Sequence, residues 1–148
     1  MRLNTEINKY IRATGFADSR FDTAATAEAI AGELKGREEV LVAATTSAAS
    51  GFLGAATQQT TAFAVTDKRM IFGGLKGLFK KKWNFMSLPL EDIIEVTVQP
   101  RVYNSVRTID IVHEGGKINI GFRGVSKETI ESFCREINKV LDELTTVE

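Results

Sequence analysis

The chain has 148 residues and a mass of 16.3 kDa, the usual size of one domain with short extensions. Hydrophobic residues make up 43% of it and charged residues 26%, with only 2 Pro, a composition that excludes disordered and collagenous proteins. The 19 basic and 19 acidic residues cancel. No overall charge therefore attracts the chain to nucleic acid, and we expect no nucleic-acid partner.

The sequence carries no mark of secretion or membrane insertion. Its single cysteine, Cys134, cannot form an internal disulfide. Residues 1–10 lack the apolar segment of a signal peptide, and no apolar run approaches the ~18 residues of a membrane-spanning helix. We therefore expect a cytoplasmic protein.

Two helices are predicted at the start of the chain. The first is placed to end at Gly15, and the second has Asp22 as its candidate N-cap and Gly36 as its candidate C-cap. Their apolar faces consist of Leu3, Ile7, Tyr10 and Ile11 in the first helix and Ala27, Ile30, Ala31 and Leu34 in the second. Because the second face is small and Ala-rich, we expect residues 1–36 to dock closely onto the rest of the protein or onto a second copy.

From Glu38 to Arg123 the pattern changes to short alternating runs separated by turn residues, which is typical of antiparallel strands. The runs predict seven strands, at 40–47, 60–66, 70–74, 79–88, 93–98, 108–111 and 118–122. A final helix begins after the candidate N-cap Ser126 and carries one apolar stripe. The stripe comprises Ile130, Phe133, Cys134, Ile137, Val140, Leu141 and Leu144.

This order of elements leaves few arrangements, because strands with one apolar face need a second sheet or closure into a barrel. We predict a mainly β (α+β) fold in which a seven-stranded antiparallel barrel is plugged by the C-terminal helix. The barrel and its helix span residues 37–148, and the two N-terminal helices form an extension at residues 1–36.

Four segments carry a family resemblance. They are Glu39-Val40-Leu41, the run from Ala64 to Phe72 that contains Thr-Asp-Lys-Arg, Leu88-Pro89-Leu90-Glu91-Asp92-Ile93, and the hairpin from Gly115 to Ile118. They resemble the bacterial pleckstrin-homology-like (PH-like) domains, particularly the YokE-like group, over residues 36–145. The resemblance implies a PH-like barrel that binds lipids, peptides or other proteins and has no common catalytic site. Phosphoinositide-binding relatives place basic residues around the first loop, whereas loop 50–59 has no Lys or Arg here.

The strongest local charge lies around the predicted fourth strand, since residues 67–107 hold 8 basic and 4 acidic residues, a net charge of +4. The basic residues include Lys76, Lys80, Lys81 and Lys82, with Lys68 and Arg69 nearby and Phe79, Trp83 and Phe85 interleaved. These lysines could bind an anionic membrane weakly. Alternatively they are a solvated hairpin face that prevents edge pairing, and Trp83 and Phe85 are core residues.

A second candidate site is the apolar pair Phe52 and Leu53, which lies between Gly51 and Gly54. Exposed at a loop tip, the pair would bind a partner or a membrane. Folded back, it would be buried beneath an N-terminal helix.

Residues suited to catalysis do not form a set. His113 is the only histidine, and Cys134 lies in the apolar stripe of the last helix, where thiols are inert. No Cys/His spacing fits zinc, and the Gly-rich run 73–77 lacks the pattern of a phosphate-binding loop. We predict that the protein is not an enzyme and uses no cofactor or metal.

The sequence therefore favours a non-catalytic binding or assembly module. The first hypothesis is interaction with a protein partner or with itself, as a homo-oligomer, through strand edges and the N-terminal helices. The alternative is reversible attachment to anionic membranes through the basic hairpin.

Overall fold

The computed structural model describes residues 1–50, 60–76, 82–102 and 104–145, with the backbone alone at 48–50, 60, 76 and 145. Its helices are α1 (Asn4–Thr14), α2 (Thr23–Glu33) and α3 (Lys127–Thr145), with a short 3-10 turn at Leu90–Asp92. Its strands are β1 (Val40–Thr45), β2 (Ala48–Ser50), β3 (Thr60–Thr66), β4 (Arg69–Lys76), β5 (Lys82–Pro89), β6 (Ile93–Val98), β7 (Val106–His113) and β8 (Gly116–Arg123). The fold is α+β, as predicted.

The first predicted strand is in fact two strands that belong to different sheets. β1 pairs with β3, whereas β2 pairs with β8, placing Ala48 opposite Gly121. Between them, Thr46 donates its N–H to the Thr61 carbonyl at 3.1 Å, and Ser47 donates to the Gly121 carbonyl at 2.8 Å. Consecutive residues thus bond to different sheets, and the described residues contain eight strands rather than seven.

The strands form two four-stranded antiparallel sheets, not the closed barrel that we predicted. The first sheet has the order β1-β3-β4-β5 and the second β2-β8-β7-β6. Within the described residues β5 and β6 each end a sheet, and the 3-10 turn lies between them. Pro89 has no N–H to continue a ladder, so the chain leaves β5 there and starts β6 in the other sheet.

The main core lies between the two sheets and is closed by α3. The six residues of the predicted stripe from Ile130 to Leu141 are all buried, and only its last residue, Leu144, is exposed, at 38%. The Phe133 ring contacts the rings of Phe16, Phe63 and Phe122 at centroid distances of 5.0, 5.5 and 4.9 Å. The predicted N-cap is confirmed, because Thr129 donates its N–H to Ser126 Oγ at 3.1 Å.

A second core lies on the outer face of the first sheet, beneath α1 and α2. It joins Ile7, Ile11, Ala27 and Ile30 of the helices to Val40, Ala43, Ala62, Ala64 and Ile71 of the sheet. Small side chains on both sides allow the helices to approach the sheet closely. Residues 1–36 therefore dock onto their own chain.

The ends of these two helices are partly as predicted. Gly15 ends α1 in the left-handed conformation, with φ 74°, and Asp22 caps α2 by accepting from the Ala24 N–H at 2.9 Å. The predicted C-cap Gly36 is wrong, since α2 ends at Glu33 and its C-cap Leu34 is extended. Leu3, expected on the apolar face of α1, is 62% exposed because it precedes the first helical turn.

Candidate functional site

Most of the predicted site residues lie outside the described residues. This holds for Phe52, Leu53, Lys80 and Lys81, and of Lys76 only the backbone is described. Lys82 begins β5 with an exposed side chain, directly opposite Lys76 in the β4–β5 ladder. The basic cluster therefore stays a prediction.

Lys68 and Arg69 do not join that cluster, contrary to expectation. Arg69 lies opposite Pro89 and Lys76 lies opposite Lys82, so Arg69 is at one end of β4 and the Lys76–Lys82 pair is at the other. Seven residues of strand separate them, about 23 Å at ~3.3 Å per residue.

Arg69 is instead the partner of a buried carboxylate. It donates to Glu38 through Nε at 2.8 Å and through a terminal nitrogen at 3.0 Å, and Thr66 Oγ1 donates to the same carboxylate at 2.8 Å. Chiefly through the hydrogen bonds from Arg69, the pKa of Glu38 falls from 4.5 to about 2 despite burial. Arg69 also donates to the Glu33 carbonyl at 3.1 Å, which ties the end of α2 to the β3–β4 turn.

Trp83 and Phe85 lie on the outer face of β5, half-buried against the second core, rather than in the core between the sheets. Their rings stack at a centroid distance of 5.9 Å and an interplanar angle of 17°. Phe85 lies across Gly73, where a Cβ would come within 2.5 Å of its ring. The glycine therefore permits this ring position.

A hollow of about 450 Å³ lies between α2 and the rings of Trp83 and Phe85. Its helix side consists of Ala25, Glu28, Ala29, Gly32 and Glu33. The hollow exists because the residues of α2 that face the two rings are small, and the two glutamates give it negative charge. We call it the aromatic hollow.

A second hollow of about 280 Å³ lies farther along β5, at Ser87 and Pro89. Its other residues are Lys35, Glu38, Lys68 and Arg69, so we call it the basic hollow. Arg69 lines this hollow and bonds Glu33, which lines the aromatic hollow. Because alternate residues of a strand share a face, both hollows follow the same face of β5. Together they form the β5 groove.

His113 and Cys134, the residues considered for catalysis, each form a hydrogen bond with the backbone. His113 Nδ1 accepts from the Gly115 N–H at 3.1 Å in the β7–β8 turn. The Cys134 thiol donates to the Val96 carbonyl at 3.3 Å, and burial raises its pKa. Among the residues that the structure describes, no cluster of three His, Cys, Asp or Glu could hold a metal, and no helix has the length and hydrophobicity to cross a membrane.

A family model that matches most of the chain identifies the family. The model of the bacterial PH domain family matches residues 34–139. The chain belongs to the bacterial PH domain family. The predicted resemblance is thereby confirmed at the level of the family, and the YokE-like subgroup stays a prediction.

Solved structures of similar fold include two bacterial proteins. One, with a pleckstrin-homology domain, is from Shewanella loihica PV-4; it is 17% identical, with 84% of this chain and 94% of that chain covered and a TM-score of 0.49. The other, a pleckstrin homology domain from Shewanella amazonensis SB2B, is 19% identical, with 78% and 97% covered and a TM-score of 0.48. No curated protein matches the chain.

The sequence singled out four residues of the β5 groove, Lys68, Arg69, Trp83 and Phe85, but not the groove itself. The Ala-rich face predicted for α2, with Ala27 and Ile30, is the face that packs on the first sheet. The groove is lined by another side of the helix, with Ala25, Glu28, Ala29 and Gly32. Nothing local indicated that α2 lies beside β5, since Glu33 and Lys82 are 49 positions apart in the chain. The space that the fold leaves between these two elements makes the site.

Proposed function

We propose that this PH domain is a non-catalytic protein-binding module, and that it binds an extended segment of its partner at β5. The observation that carries the proposal is the position of the β5 groove beside a strand that, among the described residues, ends its sheet. A strand in this position offers backbone N–H and C=O groups to an added strand, while the adjacent groove receives alternate side chains.

The composition of β5 supports this use of its edge. Sheet edges that must not pair are protected by charges along the strand. The only charged residue of β5 is Lys82 and its only proline is Pro89, and these two residues lie at opposite ends of the strand. The residues between them, 83–88, are uncharged, and Met86 is 38% exposed. No charge or proline in the middle of β5 therefore opposes pairing with an added strand.

Attachment to anionic membranes is the second candidate. The exposed Lys82 favours it, together with the lysines that precede it in the sequence. It ranks below protein binding because Lys68 and Arg69 lie at the other end of β4, and Arg69 is neutralised by Glu38.

Peptide selection from a display library tests the proposal, with binding followed by the fluorescence of Trp83, the only tryptophan. Met86→Lys puts a charge on the β5 edge without altering the groove face, and we expect it to abolish binding. Ile94→Lys is the matched control, because Ile94 is 62% exposed on β6, the terminal strand of the other sheet.

Light scattering separates self-association from binding to another protein. A dimer that Met86→Lys dissociates and Ile94→Lys retains would identify a second copy as the partner. The proposal is wrong if no extended peptide binds and Met86→Lys leaves the mass unchanged, or if only Ile94→Lys abolishes binding.

A further inference from the structure

Resting on this proposed function, we infer that the β5 groove selects a segment in which an acidic residue precedes a basic residue by four positions. The basic side chain lies in the aromatic hollow and the acidic side chain in the basic hollow. The inference comes from the charges and ring faces of the two hollows and from their spacing along β5.

The aromatic hollow has the chemistry that binds an organic cation. Trp83 and Phe85 present stacked rings, whose faces attract ammonium and guanidinium groups. Glu28 is exposed beside them, and the Glu33 carboxylate is shared with Arg69 at 3.5 Å. No basic side chain lines this hollow within the described residues. A Lys or Arg could lay its apolar stem on the rings and place its charge near Glu28.

The basic hollow, in contrast, has the chemistry that binds an acidic side chain. Its one carboxylate, Glu38, is 2% exposed and is neutralised by Arg69. Lys35 and Lys68 are both exposed, and neither forms an ion pair with the residues that the structure describes. Two lysines without a carboxylate partner attract an Asp or Glu side chain.

The spacing and direction follow from strand geometry. The aromatic hollow lies at Trp83 and Phe85 and the basic hollow at Ser87 and Pro89, so they are four residues apart, about 13 Å. Residues at i and i+4 of an added strand share a face and span the same distance. Antiparallel addition is the commoner mode and continues the pattern of this sheet, so the acidic residue comes first.

Three synthetic peptides with a common Val/Thr background test the selection: Glu-x-x-x-Lys, the reversed Lys-x-x-x-Glu, and Gln-x-x-x-Gln. We expect Trp83 fluorescence and calorimetry to show binding of the first peptide roughly tenfold tighter than of the other two. Raising the salt concentration should reduce this difference.

A charge-swapped groove provides the decisive variant. The double substitution Glu28→Lys and Lys68→Glu changes two exposed side chains and should reverse the preference toward Lys-x-x-x-Glu. The matched control is Lys127→Glu with Glu131→Lys, an exposed ion pair on α3 with a separation of 3.8 Å, which should leave the preference unchanged.

The outcomes separate the inference from the function on which it rests. Equal binding of all three peptides, a preference for the reversed peptide, or no reversal in the swapped variant would overturn the inference. If Met86→Lys still abolished binding in that case, the β5 edge would stand as the binding surface. Loss of all peptide binding to the unmodified protein would overturn both.

Discussion

At the scale of single residues, two buried side chains hold elements together for different physical reasons. Phe133 is 1% exposed and contributes ring contacts to the core between the sheets. Glu38 is 2% exposed and accepts hydrogen bonds from Arg69 and Thr66. The first is stabilised by removal of apolar surface from water and the second by charge and hydrogen bonding.

Removing the Phe133 ring should destabilise the fold strongly. We expect Phe133→Ala to lower the free energy of unfolding by about 3 to 5 kcal/mol, because a cavity remains among three other rings. Denaturant unfolding measures this loss. Leu144→Ala, at an exposed position of the same helix, should change the value by less than ~0.5 kcal/mol. An unchanged midpoint for Phe133→Ala would contradict the packing of α3.

Glu38 should make stability depend on pH in the acid range. Its pKa is about 2 in the folded protein against an ordinary value of 4.5. The carboxylate therefore stabilises the fold above about pH 4.5, and this contribution disappears as the pH falls toward 2. A difference of this size corresponds to roughly 3 kcal/mol.

Glu38→Gln tests this dependence, because the amide resembles the protonated acid. We expect the variant to be less stable by about 3 kcal/mol at pH 7 and equal to the unmodified protein near pH 2. Urea unfolding at several pH values measures the difference. Glu39→Gln is the control, since the Glu39 side chain is 59% exposed. A difference that stayed constant with pH would contradict the assignment.

At the scale of elements, the N-terminal helices and the first sheet depend on each other. The outer face of that sheet holds Ala43, Ala62 and Ala64, which bury little area by themselves. The Ala-rich face of α2 is similarly small, so only close packing of the two surfaces excludes water. The same closeness places α2 beside Trp83 and Phe85.

Deletion of residues 1–36 should therefore expose the outer face of the first sheet. We expect lower solubility, a lower thermal midpoint and increased binding of a hydrophobic dye, because the second core loses its cover. Loss of the aromatic hollow should also move the Trp83 fluorescence toward longer wavelength. A truncated protein with unchanged mass, stability and fluorescence would contradict this packing.

At the scale of the whole molecule, charge is neutral overall but unevenly distributed. Among the basic residues of segment 67–107, Arg69 lies at one end of β4 and the Lys76–Lys82 pair at the other. One group, with Lys68 and Arg69, lines the basic hollow. Each lysine near an anionic surface contributes about 1 kcal/mol, and the membrane hypothesis assigns this role to Lys76, Lys80, Lys81 and Lys82.

Sedimentation with phosphatidylserine vesicles tests that affinity. The membrane hypothesis predicts binding at low salt, its loss near physiological ionic strength, and its loss when these four lysines become Gln. A matched control replaces Lys9, Lys117, Lys127 and Lys139 and should still bind. If the unmodified protein stayed in the supernatant at low salt, the membrane hypothesis would be wrong.

The sequence by itself determined the family and most of the elements. Helical spacing, the N-caps Asp22 and Ser126, and period-two alternation depend on neighbouring residues, so they can be read without the fold. The apolar stripe from Ile130 to Leu141 predicted its own burial for the same reason. The Thr-Asp-Lys-Arg turn carried the resemblance to bacterial PH domains.

Only the tertiary structure decided how these elements meet. The change of sheet between Thr45 and Ala48, the two separate sheets and the docking of α2 all depend on contacts between residues distant in the chain. The Glu38–Arg69 pair spans 31 positions, and local patterns carry no signal for such a partner. The β5 groove is of this kind, because Trp83 and Phe85 become part of a site only where α2 packs beside them.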